Sequence, residues 1–94
     1  MSVRESLPGE NVRVRVLLFA ACRELAGTGE LVLELAAGAR VSDALARLSE
    51  REPRLARFLP GCRHARNDHF VTADEPLADG DELAVIPPVS GGCR

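Results

Sequence analysis

Lysine, tryptophan and tyrosine are absent from this 94-residue chain, and three phenylalanines are its only aromatic residues. All 12 basic residues are therefore arginines, and no lysine side chain exists for an isopeptide bond with another copy of the chain. The formal net charge of −2 provides no basic field of the kind that binds a phosphate backbone. We therefore expect no nucleic-acid partner.

Long hydrophobic runs are also missing. No apolar stretch approaches the roughly 20 residues that span a bilayer, and no signal-peptide pattern opens the sequence. The cysteines Cys22, Cys62 and Cys93 are odd in number, far apart and without a CxxC pair, which argues against a disulfide framework and a zinc site. We expect a cytoplasmic protein with no bound cofactor, no metal and no membrane partner.

What the chain does contain is enough for one small domain, because 46% of its residues are hydrophobic, mostly Ala, Val and Leu. We predict a polar leader over residues 1–11, a folded domain over residues 12–86 and an extended tail over residues 87–94.

The first strand is predicted by "VRVRVLLF", residues 12–19, which alternates and is rich in β-branched residues. A period of two places the even-numbered residues on one face, and Arg13, Arg15, Leu17 and Phe19 on the other. "AACRELAG" predicts a short helical turn. "ELVLEL" then predicts a second strand, antiparallel to the first, with its leucines inward.

The main helix is predicted from Ser42, a suitable N-cap residue, to Pro53, with Val41, Leu45 and Leu48 as its apolar stripe. "PRLARFLPG" predicts a further helical turn. "RHARNDHFV" predicts a hairpin that turns at asparagine and aspartate, and "ELAVI" predicts the last strand, which the following proline pair ends.

These elements predict an α+β domain in which one helix covers one face of an open sheet. The opposite face carries Leu17, Phe19 and Ile86 without an obvious cover. An uncovered apolar patch of this kind is typical of a partner surface.

No motif of the domain body indicates catalysis. The Gly27-Thr28-Gly29 segment lacks the residues of a phosphate loop, and the acidic segment over residues 79–82 lacks calcium-loop spacing, so both are interpreted as turns. His64 and His69 have no nearby nucleophile and are expected on the strand surface. We expect Cys22 to be a packed thiol and Cys62 to be exposed in a loop.

The Gly91-Gly92 pair in the tail is a better candidate. Glycine has no side chain, so this pair fits a narrow channel in another protein's active site. From Pro87 to Gly92 an extended tail reaches about 20 Å.

The segments "VLLFAACREL", "NDHFV" and "PLADGDELAVIPPVSGG" resemble the β-grasp, ubiquitin-like sulfur carriers, most closely the small subunit of molybdopterin synthase. The resemblance covers nearly all of residues 12–92, and "DGDELAVIPPVSGG" is its specific part. It implies a β-grasp fold, in which a mixed sheet carries one main helix on one face and continues into an extended C-terminal tail.

The resemblance also implies a function that is not catalytic by itself. In that family an ATP-dependent, E1-like adenylyltransferase activates the terminal glycine, which becomes a thiocarboxylate and gives its sulfur to a pterin precursor in the large subunit. By this resemblance Gly92 carries the adenylate and the thiocarboxylate, and Gly91 is needed for passage. The implied partner-binding residues are Phe19, Arg23, Ile86, Pro87, Pro88 and Val89.

The sequence departs from this pattern because Cys93-Arg94 follows Gly92, so that Gly92 has no free carboxylate. Some similar bacterial carriers have a Gly-Gly-Cys ending that a JAMM metalloprotease removes, which places the cleavage site between Gly92 and Cys93. The alternative, a remnant added for expression, is left open. Three functions remain open: the sulfur donor of molybdopterin synthesis, a sulfur carrier for cysteine, methionine or thiocarboxylate-siderophore synthesis, and a ubiquitin-like protein modifier.

Overall fold

The computed structural model describes residues 11–88, which form a five-stranded mixed sheet with its helical segments on one face. The elements are β1 (Asn11–Leu18), α1 (Ala20–Ala26), β2 (Glu30–Ala36), α2 (Val41–Arg51), β3 (Arg63–Arg66), β4 (His69–Val71) and β5 (Glu82–Ile86). Between α2 and β3 lie two 3-10 turns, Pro53–Leu55 and Leu59–Gly61. The predicted Gly91, Gly92, Cys93 and Val89 lie outside the described residues.

The strand order in the sheet is β2-β1-β5-β3-β4. β1 and β5 pair in parallel at the centre, and the other neighbours pair antiparallel. The predicted antiparallel pairing of the first two strands is confirmed. Because the last strand lies beside the first, the chain that follows Ile86 leaves the sheet from its middle.

The inner face of the sheet packs against the helices, as the alternation predicts. Val12, Val14, Val16 and Leu18 of β1 are all buried. The remaining strands and helices contribute buried apolar residues that include Leu33, Leu35, Val41, Ala44, Leu48, Leu55, Leu83 and Val85. The predicted register is therefore confirmed, although Leu31 and Leu45 are only partly buried.

Two predicted boundaries are wrong by a residue or two. Asn11, expected in the leader, is the first residue of β1 and pairs with Ala36. Ser42 is not the N-cap of α2, because the helix begins at Val41 and Arg40 occupies the cap position. The cap bond is donated by the backbone N–H of Arg40 to Asp43 Oδ2 at 2.8 Å. The aspartate at the third helical position replaces the serine as the capping side chain.

The predicted hairpin at Asn67-Asp68 is confirmed, and both residues adopt the left-handed region with φ of 48° and 74°. The expected exposure of Cys62 is wrong, since this side chain is buried in the core, as Cys22 is. His69 is exposed as expected, whereas His64 points to the inner face and is half-buried. The predicted loop cysteine is buried because its side chain, directly after the second 3-10 turn, packs against Cys22 of α1.

Candidate functional site

The outer face of the sheet carries a continuous row of apolar residues across four strands. Leu17 of β1 lies opposite Ala84 of β5, and Ala84 lies opposite Ala65 of β3. Ala65 in turn lies opposite Phe70 of β4. Phe70 is 61% exposed, the highest value among the large hydrophobic residues of the described chain.

Phe19 and Ile86 extend this row toward the end of the sheet from which the tail departs. Phe19 follows β1 directly and is 44% exposed. Ile86, the last residue of β5, is half-buried and lies opposite Arg63, whose guanidinium carbon is 4.1 Å from the centre of the Phe70 ring. We call the set formed by Leu17, Phe19, Ala65, Phe70, Ala84 and Ile86 the outer-face patch.

Charged side chains bound the outer-face patch on the side of β2. Arg15 pairs with Glu82, and its Nε atom lies 3.4 Å from Glu30 Oε2. Arg13 Nε lies 3.6 Å from Glu34 Oε2. These groups are largely exposed, so the pairs add little stability. Their effect is to separate the apolar patch from Val32, the other exposed apolar residue of this face.

Arg23, predicted at the partner interface, is exposed on α1 beside the patch residue Phe19. Its backbone N–H donates to the carbonyl oxygen of Phe19 at 3.3 Å. Its side chain lies against Gly29, where an added Cβ would come within 3.3 Å of Arg23 Nε. Gly29 therefore leaves room for the guanidinium at this position, while the helical backbone bond joins Arg23 to Phe19.

A buried carboxylate fixes the hairpin that presents Phe70. Asp81 accepts hydrogen bonds from the Ala78 backbone N–H (2.7 Å), Arg66 Nε (2.7 Å) and Asn67 Nδ2 (3.0 Å). Burial favours the neutral acid, but these donors outweigh it and lower the pKa of Asp81. Asn67 also accepts from the Glu82 backbone N–H at 3.0 Å, so the turn of the hairpin is held to the start of β5.

Residues 11–88 offer few other groups that could bind a metal or act in catalysis. They contain no cluster of three metal-ligating side chains and no helix long and apolar enough to cross a membrane. The Nε2 atom of His64 is buried and has no hydrogen-bond partner among the described residues, and burial lowers the pKa of this imidazole. It lies on the inner face, away from the outer-face patch.

Pro87 and Pro88 follow β5 outside any strand, as predicted. Leu17 and Ile86 were expected on the uncovered face, and the structure confirms both. Phe19, predicted as the last residue of the first strand, lies just after β1 as the N-cap of α1 and is exposed. Ala65, Ala84 and Phe70 are the patch residues that the sequence did not indicate. Once the turn is placed at Asn67-Asp68, the sequence predicts that Phe70 lies opposite Ala65. It does not predict which strand pairs with the other edge of β3.

A family model described as the ThiS family matches residues 16–92, a range that includes both tail glycines. The chain belongs to the ThiS family. Two curated relatives of this ThiS-family chain are named molybdopterin synthase sulfur carrier subunit. The relative from Chlamydomonas reinhardtii is 42% identical over 83 residues, which cover 86% of this chain and 100% of the relative. The relative from Arabidopsis thaliana is 36% identical over 88 residues, which cover 94% and 92%.

Solved structures confirm the β-grasp prediction for this ThiS-family chain. The H. volcanii small archaeal modifier protein 1 matches with a TM-score of 0.77 and 31% identity over 83% of this chain and 99% of that one. A chain from the complex of subunits 1 and 2 of molybdopterin-converting factor from Helicobacter pylori matches with a TM-score of 0.61 and 27% identity, over 86% and 100%. Caldiarchaeum subterraneum ubiquitin, at 19% identity and a TM-score of 0.60 over 87% and 99%, shares the fold alone.

Proposed function

We propose that this chain is a sulfur carrier that donates sulfur in molybdopterin synthesis. The observation that carries the proposal is the outer-face patch, which adjoins the strand end that leads into the Gly91-Gly92 tail. The names of the Chlamydomonas and Arabidopsis relatives support the same function. The cytoplasmic location expected from the sequence is part of this proposal, because activation of the tail consumes ATP.

The chain acts as a co-substrate, and its partners supply the catalysis. The described residues hold no nucleophile with a base beside it, which covalent catalysis by the domain would require. The E1-like adenylyltransferase transfers AMP from ATP to the Gly92 carboxylate and releases pyrophosphate. A sulfur nucleophile at the oxidation level of sulfide then attacks the acyl carbon and AMP leaves, which gives the thiocarboxylate that the tail carries into the large subunit.

The outer-face patch docks the domain on these partners. Large exposed apolar side chains bordered by charged residues are typical of protein interfaces, where buried aromatic anchors contribute most of the binding energy. Phe19 and Phe70 are the aromatic anchors, and Arg23 is the adjacent cation. The Helicobacter complex of subunits 1 and 2 supports a large-subunit partner, and the outer-face patch is the face that we propose for its binding.

Gly92 is blocked until Cys93-Arg94 is removed. The bond between Gly92 and Cys93 is an amide, and an amide oxygen is a much poorer nucleophile toward ATP than a carboxylate. A JAMM-type metalloprotease is the class of enzyme that we propose for this cleavage.

The test is ATP–pyrophosphate exchange with one activating enzyme and four forms of the chain. The form that ends at Gly92 is expected to exchange, whereas the intact chain, a form ending at Gly91 and a Gly92→Val form are expected to be inactive. Exchange by the intact chain at the rate of the truncated form, with Cys93-Arg94 still present by mass, would refute the proposed block.

A second candidate function is protein modification, which the likeness to the H. volcanii modifier favours. In that case the activated Gly92 forms an isopeptide bond with a lysine of another protein. Incubation of the processed chain with the activating enzyme and a cell extract separates the two functions. A carrier yields a thiocarboxylate of unchanged chain length, whereas a modifier yields larger conjugates that resist reducing agents.

A further inference from the structure

Two cysteines from distant parts of the sequence meet in the core. The Sγ atoms of Cys22 in α1 and Cys62 after the second 3-10 turn lie 3.8 Å apart, although the residues are separated by 40 positions in the sequence. Both side chains belong to the core cluster between the sheet and the helices. Neither belongs to the outer-face patch, so the proposed function does not account for the pair.

The two thiols form a short chain of hydrogen bonds. Cys62 Sγ donates to the carbonyl oxygen of Phe58 at 3.2 Å, so the hydrogen between the two sulfur atoms comes from Cys22. Burial, together with the contact with Cys22, raises the pKa of the Cys62 thiol to about 12. Cys62 is therefore a neutral thiol at pH 7 that reacts slowly with oxidants.

We propose that Cys22 and Cys62 are a reversible two-electron oxidation site that closes into an intramolecular disulfide. Bonded sulfur atoms lie about 2.05 Å apart, so the two sulfur atoms must approach by less than about 2 Å. This is within the range of a side-chain rotation combined with a small shift of the 3-10 turn.

Hydrogen peroxide can accept the two electrons that the two thiols lose when the disulfide forms. The Cys62 sulfur attacks the peroxide first, slowly because it is a neutral thiol, since it retains 7% exposure and Cys22 has none. The peroxide oxidises the Cys62 thiol to a sulfenic acid and leaves as water. The Cys22 sulfur then attacks the Cys62 sulfur, a second water leaves, and a thiol reductant restores both thiols.

The disulfide ties α1 to the segment that follows α2. The sequence separation of 40 positions means that the closed loop is long, and long loops give the larger stabilisation in the chain-entropy account. We expect the oxidised chain to melt about 10 °C higher than the reduced chain. The bond forms on the inner side of the sheet, so partner binding through the outer-face patch is expected to change by less than about twofold.

The test uses the full-length chain with Cys93→Ser, in which Cys22 and Cys62 are the only thiols. Treatment of the folded protein with hydrogen peroxide is expected to give a monomer about 2 Da lighter, with both thiols lost. Because the chain lacks lysine, trypsin cleaves only after arginine and places the cysteines in "VLLFAACR" (residues 16–23) and "FLPGCR" (residues 58–63). The expected product joins these two peptides, and dithiothreitol separates them.

Cys22→Ala and Cys62→Ala are the matched controls, since each leaves one thiol and should give no monomer with this mass loss. Recovery of both peptides with free thiols after prolonged peroxide treatment would overturn the proposal. Stepwise oxidation to sulfinic acid without the linked peptide, or linkage of residues 16–23 to a second copy of themselves, would also overturn it. The peptide map of the chain with both cysteines decides the question even if a control variant fails to fold.

Discussion

Asp81 joins the hairpin between β3 and β4 to the segment that leads into the last strand. It is 7% exposed and satisfies three donors, so removing its charge leaves Arg66 Nε and the Ala78 N–H without a charged acceptor. We expect Asp81→Asn to lower the free energy of unfolding by about 2–3 kcal/mol. Urea denaturation at pH 7 measures this change, and Asp74→Asn, at an exposed position of the same loop, is the control.

The lowered pKa of Asp81 also predicts how stability depends on pH. The folded state binds the proton of this carboxyl less readily than the unfolded state does, so the stabilisation is fully present above the unfolded pKa of about 4. It is lost as the pH falls through the lower folded pKa. The Asp81→Asn chain should lose less stability between pH 5 and about pH 2 than the unmutated chain does. Parallel losses in the two proteins would contradict this role.

Phe70 is the residue that distinguishes docking from folding most cleanly. Its ring is 61% exposed, and the guanidinium group of Arg63 lies over it in a cation–π contact. We expect Phe70→Asp to change the free energy of unfolding by less than about 1 kcal/mol. Binding to the cognate large subunit should weaken at least tenfold, because a charge replaces a buried aromatic anchor.

Val32→Asp is the matched control for Phe70→Asp. Val32 is 43% exposed on the same face, but Arg15 and its acidic partners separate it from the outer-face patch. Calorimetric titration of the two variants against the large subunit should show weakened binding for Phe70→Asp alone. Equal affinities would remove the patch from the account.

At the scale of elements, the turn of the hairpin between β3 and β4 needs two residues with positive φ, and one of them also needs a hydrogen-bonding side chain. Asn67 and Asp68 both adopt positive φ, which costs most residues free energy and glycine almost none. Asn67 is committed to Asp81 and Glu82, whereas Asp68 is exposed at the tip. Asp68→Gly should therefore raise the free energy of unfolding by about 0.5–1 kcal/mol, and Asp68→Val should lower it by a similar or larger amount. Thermal melts of both variants test the sign.

The elements that the sequence predicted best are those with strict periodicity. In β1 the alternation fixed which residues face the core, and the Asn67-Asp68 pair located the hairpin because few residue pairs tolerate positive φ. The N-cap of α2 was misplaced because Arg40, which occupies that position, is not among the preferred N-cap residues, and the bond at this end comes instead from Asp43 at the third helical position. Phe70 was not predicted as a patch residue because periodicity shows only which residues of a strand share a face. That β3 lies beside β5, which places Phe70 in the same row as Ala84, is a long-range contact.

The burial of Cys62 in the core is another feature that the local sequence pattern does not predict. Its neighbours in "FLPGCR" are typical of a surface turn, and nothing local indicates that the Cys62 side chain packs against α1. Its burial depends on Cys22, 40 positions earlier in the chain. Local pattern therefore predicted the strands and their faces, and it did not predict which distant side chains meet.

At the scale of the whole molecule, we assign partner docking to the folded domain and sulfur loading to the tail. The sheet holds its core on one face and presents the outer-face patch on the other, and β5 at its centre leads directly to Pro87 and the tail. The division predicts that changes at Gly91 or Gly92 affect sulfur loading and leave the fold intact. Thermal melting of the Gly92→Val chain should match that of the unmutated chain within about 1 °C, since the core cluster of the described residues runs from Val12 to Val85.

Intact mass spectrometry of the chain that ends at Gly92 tests the central claim most directly. The chain is incubated with an E1-like activating enzyme, ATP and a sulfur donor, with an ATP-free sample as the control. The account predicts a gain of about 16 Da that requires ATP, because one carboxylate oxygen is replaced by sulfur. An unchanged mass, with an activating enzyme that loads the Chlamydomonas relative in the same assay, would contradict the assignment of this chain as a sulfur carrier.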